Sequence, residues 1–162
     1  MKMKILDIIR RVHEIFSEKG LTLSVAESCT GGLISHYMTM LPGASRFFEA
    51  GAVTYSAASK KVILGVSSST ILTHGVVSRE TAKEMSEKMR SLAGTDYAIA
   101  TTGNLGPDIL EEKPKGLIYI SLSKKGKTFI KELRLVGERD ENREEAAVAA
   151  MNFLIEVINK PE

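Results

Sequence analysis

Leu21-Thr22-Leu23-Ser24-Val25-Ala26, followed by Glu27-Ser28-Cys29-Thr30-Gly31-Gly32, decides how this chain reads. The first six residues make a short apolar-rich run of the length of one buried strand. A helix opens immediately afterwards, near Gly31 or Gly32. Strand, glycine-rich turn and helix in succession turn backbone N–H groups towards an anion. The same succession is the start of an open α/β sheet, in which ligands bind beyond the carboxyl ends of the strands.

Working outward, Ile5, Ile8, Ile9, Val12, Ile15 and Phe16 recur at helical spacing, and Gly20 ends that helix. Downstream, residues 50–55 read as a second strand and 57–64 as a helix closed by Gly65. The Ser/Thr-rich residues 67–75 read as a short helix or a loop. Ser78 is placed to cap a long helix with Ala82, Met85, Met89 and Leu92 on one face, ended by Gly94. Residues 97–101 read as a third strand, and 103–116 as a loop rich in turn residues. Residues 117–123 and 128–136 alternate apolar and polar side chains, with Lys124-Lys125-Gly126-Lys127 as the hairpin between them. A final helix spans about 140–158. Helices alternating with strands, then a late hairpin, predict a three-layer α/β/α sandwich with a mixed β-sheet. No repeat or linker interrupts the pattern, so residues 1–162 are expected to form a single domain.

The 162 residues suffice for one sizeable core. A hydrophobic fraction of 43% and a charged fraction of 26% are those of a soluble globular protein. The net charge of +2 and the absence of Trp argue against direct nucleic-acid binding. The single cysteine, Cys29, excludes an internal disulfide. The amino-terminal residues lack the pattern of a signal peptide, and no apolar run approaches the roughly 20 residues of a membrane span. A cytoplasmic protein with no membrane association is therefore expected.

Polar motifs cluster at the strand ends: Ser28 to Gly32 after the first, Tyr55-Ser56 with Lys60 after the second, and Thr101-Thr102-Gly103 with Gly106-Pro107 after the third. Ser28 needs a base to become a nucleophile. The three histidines, His13, His36 and His74, lie within or between helices. Lysine can replace histidine where burial lowers its pKa, and Lys60 lies near the mouth of the second strand. The competing reading makes Ser28 a helix cap and Lys60 a solvated surface residue. Cys29 is the rival nucleophile, because a helix N-terminus lowers a thiol pKa; it is equally a small buried hydrophobe. Gly31 and Gly32 are a phosphate signal that tight packing explains as well. Arg139 and Arg143 are candidate phosphate clamps. The histidines show no metal-ligand spacing, so neither a metal nor an organic cofactor is expected.

Taken together the motifs resemble the C-terminal domain of the competence/damage-inducible CinA family. Ala26-Glu27-Ser28-Cys29-Thr30-Gly31-Gly32 matches its AESCTGG signature. Gly51-Ala52-Val53-Thr54-Tyr55-Ser56 with Lys60 looks like its second motif, and His74-Gly75-Val76-Val77-Ser78 matches its HGAVS segment. Thr102-Gly103, Gly106-Pro107 and Lys113-Pro114 with Gly116 follow in family order. The resemblance covers about residues 6–158 and implies nicotinamide-nucleotide amidase activity: nicotinamide mononucleotide and water give nicotinate mononucleotide and ammonia. It implies Ser28 and Lys60 as the catalytic pair, supported by Tyr55 and Thr102. Cys29, Thr30, Gly31, Gly32, Gly103 and Arg139 would contact the substrate, a small nucleotide. It also implies a homodimer, and the chain has no room for the molybdopterin-binding-like domain often fused to this one.

One stretch departs from the family, whose third loop continues TGIAGP with glycines. Here the loop reads Thr102-Gly103-Asn104-Leu105-Gly106-Pro107-Asp108-Ile109-Leu110-Glu111-Glu112. Bulky and acidic residues there are expected to change the size of ligand admitted, and Glu111 or Glu112 pointing inward would repel a phosphate. A regulatory nucleotide-binding member without catalysis, or a DNA-uptake or repair partner, are the alternatives. For the amidase, Lys60 as general base predicts an ascending pH limb near or below neutrality.

Overall fold

Strands β1 (Leu23–Glu27), β2 (Phe48–Val53), β3 (Tyr97–Gly103), β4 (Leu117–Lys124) and β5 (Lys127–Arg134) form one sheet in the order β2-β1-β3-β4-β5. The computed structural model describes residues 2–161. β1 pairs in parallel with β2 and β3, whereas β3–β4 and β4–β5 are antiparallel, so the sheet is mixed. β3 runs on to Gly103 because the antiparallel partner extends it, with Thr102 opposite Tyr119 and Gly103 opposite Ile118.

The two faces of the sheet are built differently. One carries Leu23, Val25, Ile99, Ile118, Ile120 and Leu122 against α1 (Lys2–Lys19), α2 (Leu33–Met38) and α6 (Arg139–Ile158). The other carries small side chains, Ala26, Ala98 and Ala100, against Met85 and Met89 of α5 (Arg79–Ala93). Small residues let that one helix lie close enough for Ser121 Oγ to donate to the Ala82 carbonyl. Helices on both faces complete the α/β/α sandwich.

Ser78 caps α5, accepting from Thr81 N–H, and Gly94 ends it. Leu92 is exposed, not in the core: at 100° per residue it lies at the margin of the stripe begun by Ala82, in the last turn. The Ser/Thr-rich segment contains a helix, α4 (Ser68–His74). The helix read over 57–64 is not uniform. It starts as α3 (Ala57–Ser59), behind a capping box of Ser56 and Ser59, and continues as a π-helical turn over Lys60–Leu64. Single π turns recur at functional sites. Among the described residues, no helix is long and apolar enough to cross a membrane.

Candidate active site

The carboxyl ends of β1, β2 and β3 meet at one cavity of about 100 Å³, whose wall includes Ser28, Cys29, Tyr55, Thr102, Gly103 and Arg139. Lys60 lies behind Ser28 and is fully buried. The reading of Lys60 as a solvated surface lysine therefore fails.

Lys60 Nζ makes three contacts: Ser28 Oγ at 2.8 Å, the Thr54 carbonyl at 2.7 Å and the Tyr55 carbonyl at 3.1 Å. This set suits a neutral amine. Two N–H bonds serve the two carbonyls, and the lone pair is left for the Ser28 hydroxyl proton. The ammonium form is satisfied by the same three partners, so protonation changes no position. Burial pushes the Lys60 pKa down from 10.5 to about 8, with Cys29 and Glu111 pulling it partly back. A lysine base here is therefore expected to give an ascending limb near 8. A nearby opposite charge limits what desolvation achieves.

The lysine is thus held by main-chain carbonyls rather than by the Tyr55 and Thr102 hydroxyls. The Tyr55 phenol accepts from Arg139 Nη2 at 2.7 Å, and Thr102 Oγ1 donates to the Val76 carbonyl at 2.7 Å. Arg139 Nη1 donates to the Gly106 carbonyl at 2.6 Å, which places the guanidinium at the cavity wall. Arg143, one turn further along α6, has a buried Nε with no hydrogen-bond partner, and its guanidinium faces Gly31.

Cys29 is buried against the core, and burial pushes its thiol up to about 12 despite a hydrogen bond with Thr101. Thr30 is also fully buried; its hydroxyl meets Glu27 at 2.6 Å and Thr101 at 2.8 Å. Gly31 N–H donates to the Ser28 carbonyl, and Gly32 adopts φ 100° as the residue before α2. Gly103 has no space for a side chain, since a Cβ there would lie 2.7 Å from the Leu117 carbonyl oxygen.

The anion that the glycine-rich turn receives belongs to the protein itself. Glu27 Oε1 accepts from Ile34 N–H at 2.9 Å and from Thr30, while Oε2 accepts from Ser35 N–H at 3.0 Å and Ser35 Oγ at 2.8 Å. This fully buried carboxylate occupies the start of α2, so the expectation of a phosphate at that helix N-terminus is withdrawn. Gly32 offers no side-chain cap. Glu27 supplies it from across the turn, and the intervening residues 28–32 are drawn tight. Sequence rules for caps look at adjacent positions and miss it. Glu27→Gln keeps the volume but gives one oxygen where two are needed. Its melting temperature should fall by roughly 5–10 °C, the equivalent of about 2–3 kcal/mol. An unchanged melt removes Glu27 as the clamp of the Ser28 turn.

The segment 108–113 reaches over to the 74–78 turn. Glu111 accepts from Val76 and Val77 N–H, both at 2.9 Å, so its charge is directed at that turn. Among the described residues, no group of three or more His, Cys, Asp or Glu is placed to hold a metal ion.

Comparison with known proteins follows the same outline. The family profile described as CinA C-terminal domain matches residues 6–158. A Caldanaerobacter subterraneus subsp. tengcongensis protein named as competence-damage inducible is 45% identical over 144 residues, which is 88% of this chain and 35% of that protein. A CinA-like protein of Geobacter sulfurreducens is 42% identical over the same shares. The chain thus spans about a third of the length of these relatives. Among solved structures, the competence damage-inducible protein A of Klebsiella pneumoniae superposes with a TM-score of 0.95 at 29% identity, covering 98% of this chain and 99% of that one. The competence/damage inducible protein CihA of Agrobacterium tumefaciens gives 0.92 at 35% identity, covering 96% of each. The chain belongs to the CinA C-terminal domain family.

Proposed function

We propose that this protein hydrolyses the carboxamide of nicotinamide mononucleotide, with Ser28 as nucleophile and Lys60 as general base. The observation that carries this reading is the buried Lys60 amine, 2.8 Å from Ser28 Oγ and otherwise committed to two carbonyls. A buried lysine is costly to keep. Placed against a serine at the end of a strand, it supplies the base that serine lacks.

Neutral Lys60 takes the Ser28 proton as Oγ bonds to the carboxamide carbon. The oxyanion of the tetrahedral intermediate lies against the Cys29 N–H at the cavity wall, a donor of this kind being worth on the order of 3 kcal/mol. The Ser28 N–H does not take part, because it donates to the Thr101 carbonyl. The C–N bond breaks, Lys60 returns its proton to the nitrogen, and ammonia leaves. Water, deprotonated by Lys60, then attacks the acyl-serine; nicotinate mononucleotide departs and Ser28 recovers its proton. A cavity of about 100 Å³ is too small for the whole nucleotide. The ribose and phosphate therefore extend past the mouth, where Arg139 meets the phosphate by releasing Gly106 or Tyr55.

Purified protein should release ammonia and nicotinate mononucleotide in equal amounts from nicotinamide mononucleotide. Arg139→Ala should raise KM for the nucleotide roughly tenfold and affect the dephosphorylated nucleoside much less. Failure of the wild type to release ammonia defeats the activity. Equal damage with both substrates transfers the phosphate role away from Arg139, and Arg143 is the next to test.

A further inference from the structure

The segment that departs from the family pattern closes one side of the cavity, and its two halves are held differently. The base is anchored from within: Asn104 Nδ2 donates to the Asp108 carbonyl at 2.9 Å, and Asn142 Nδ2 to the Leu105 carbonyl at 3.0 Å. The tip is tied to that base only by a longer bond, from Asn104 Nδ2 to the Lys113 carbonyl at 3.4 Å. It carries two successive non-glycine residues at positive φ, Glu111 at 56° and Glu112 at 60°. Each such residue costs roughly 1–2 kcal/mol.

What holds the tip is a latch on the turn between α4 and α5. Glu111 seats both carboxylate oxygens on the Val76 and Val77 N–H groups. Lys113 Nζ donates to the His74 carbonyl at 2.6 Å and to the Val77 carbonyl. Gly75 makes room for it, since a Cβ at that position would lie 2.6 Å from Glu111 Oε1. Thr102 fixes the receiving turn to β3 through the Val76 carbonyl. The latched tip places Leu110 in the cavity wall, although its other side is open to solvent.

We propose that Leu110, held by the Glu111 and Lys113 latch, is the specificity-determining residue of this site and limits the reacting end of the substrate to a single planar ring. The proposal rests on the reading of Ser28 as the reactive group at the cavity floor. A bicyclic carboxamide then clashes with the Leu110 side chain, whereas a pyridine ring fits beneath it. Side-chain truncation at a pocket wall of this kind shifts discrimination by roughly 10- to 100-fold.

Two serine-directed reagents of graded size test it: phenylmethanesulfonyl fluoride, with one ring, and naphthalene-2-sulfonyl fluoride, with two. In each, Ser28 Oγ forms the S–O bond, fluoride leaves, and the serine proton passes to Lys60. Modification rates are followed by intact-protein mass. Leu110→Ala should raise the ratio of bicyclic to monocyclic rate about tenfold over the wild type. Glu111→Gln and Lys113→Met should move it the same way by freeing the tip. An unchanged ratio in Leu110→Ala overturns the proposal.

A second measurement needs no nucleophile. Amide-shift titration of Ser28→Ala with nicotinamide and with isoquinoline-4-carboxamide compares binding with and without the added Leu110→Ala change. Gain of bicyclic binding on truncation supports Leu110 even if neither sulfonyl fluoride labels Ser28, in which case the serine reading alone is lost. No gain there overturns the proposal independently.

Discussion

Lys60→Arg will leave a folded protein whose turnover of nicotinamide mononucleotide is lower by roughly 10³–10⁴-fold. Arginine keeps the positive charge but holds its proton at every working pH, so it cannot accept the one on Ser28. In the proposed mechanism Lys60 is competent as a base only when neutral. Below a Lys60 pKa of about 8, kcat/KM should therefore fall tenfold per pH unit, and above it reach a plateau. Lys60→Met, closer in shape, guards against misfolding of the arginine variant and should be equally inactive. Stability supplies a separate reading of the same group. The pKa is lowered on folding, from 10.5 to about 8, so between these values the unfolded chain binds more protons and wild-type stability rises with pH. The gap of about 2.5 pH units, at 1.36 kcal/mol each, makes the wild type gain about 3 kcal/mol relative to Lys60→Met from pH 7 to pH 11. Nearly full activity in Lys60→Arg would reduce Lys60 to a source of charge and send the search for the base to Tyr55. A flat stability difference would show that burial does not lower its pKa.

Ser28→Ala should abolish turnover as completely as loss of the base, while Cys29→Ala keeps activity within about threefold. The two side chains are neighbours in sequence but not in chemistry. Ser28 Oγ lies 2.8 Å from the amine, whereas the Cys29 thiol is packed into the core with its pKa pushed up to about 12. A thiol that holds its proton at neutral pH is a poor nucleophile, so the adjacent helix start does not activate it. The helix N-terminus that would have lowered the thiol pKa already holds the Glu27 carboxylate. Truncating Cys29 removes one sulfur from a packed site and should cost on the order of 1 kcal/mol of stability. The decisive comparison is single-turnover acylation by mass spectrometry with all three proteins folded. An acyl adduct on Cys29, or equal losses in the two variants, would move the nucleophile.

Much of the frame was legible because its causes are local. Ile9, Val12 and Phe16 fall on one helical face whatever surrounds them, and Gly20, Gly65 and Gly94 end helices through their freedom at positive φ. The mixed sheet follows from the order of elements, since a late hairpin pairs antiparallel while crossovers through helices pair parallel. Ser28, Lys60, Tyr55, Thr102 and Arg139 were visible as polar residues at strand ends and through family motifs. Their contacts were not. Tyr55 and Thr102 read as support for the catalytic pair, yet the structure gives their hydroxyls to Arg139 and Val76.

By itself, the sequence determined the α/β/α class, the strand ends at which chemistry gathers, and the family. Periodicity, turn residues and motif order act over a few positions and survive any packing. The tertiary structure alone decided which atoms meet. Glu27 closes the start of α2 across the turn, Lys60 at the head of the π turn meets Ser28, and Glu111 latches to a turn 34 residues away. Each of these depends on a distance between segments that no local pattern encodes. The lowered lysine pKa arises in the same way, because desolvation is set by everything packed around the amine and not by its neighbours in the chain.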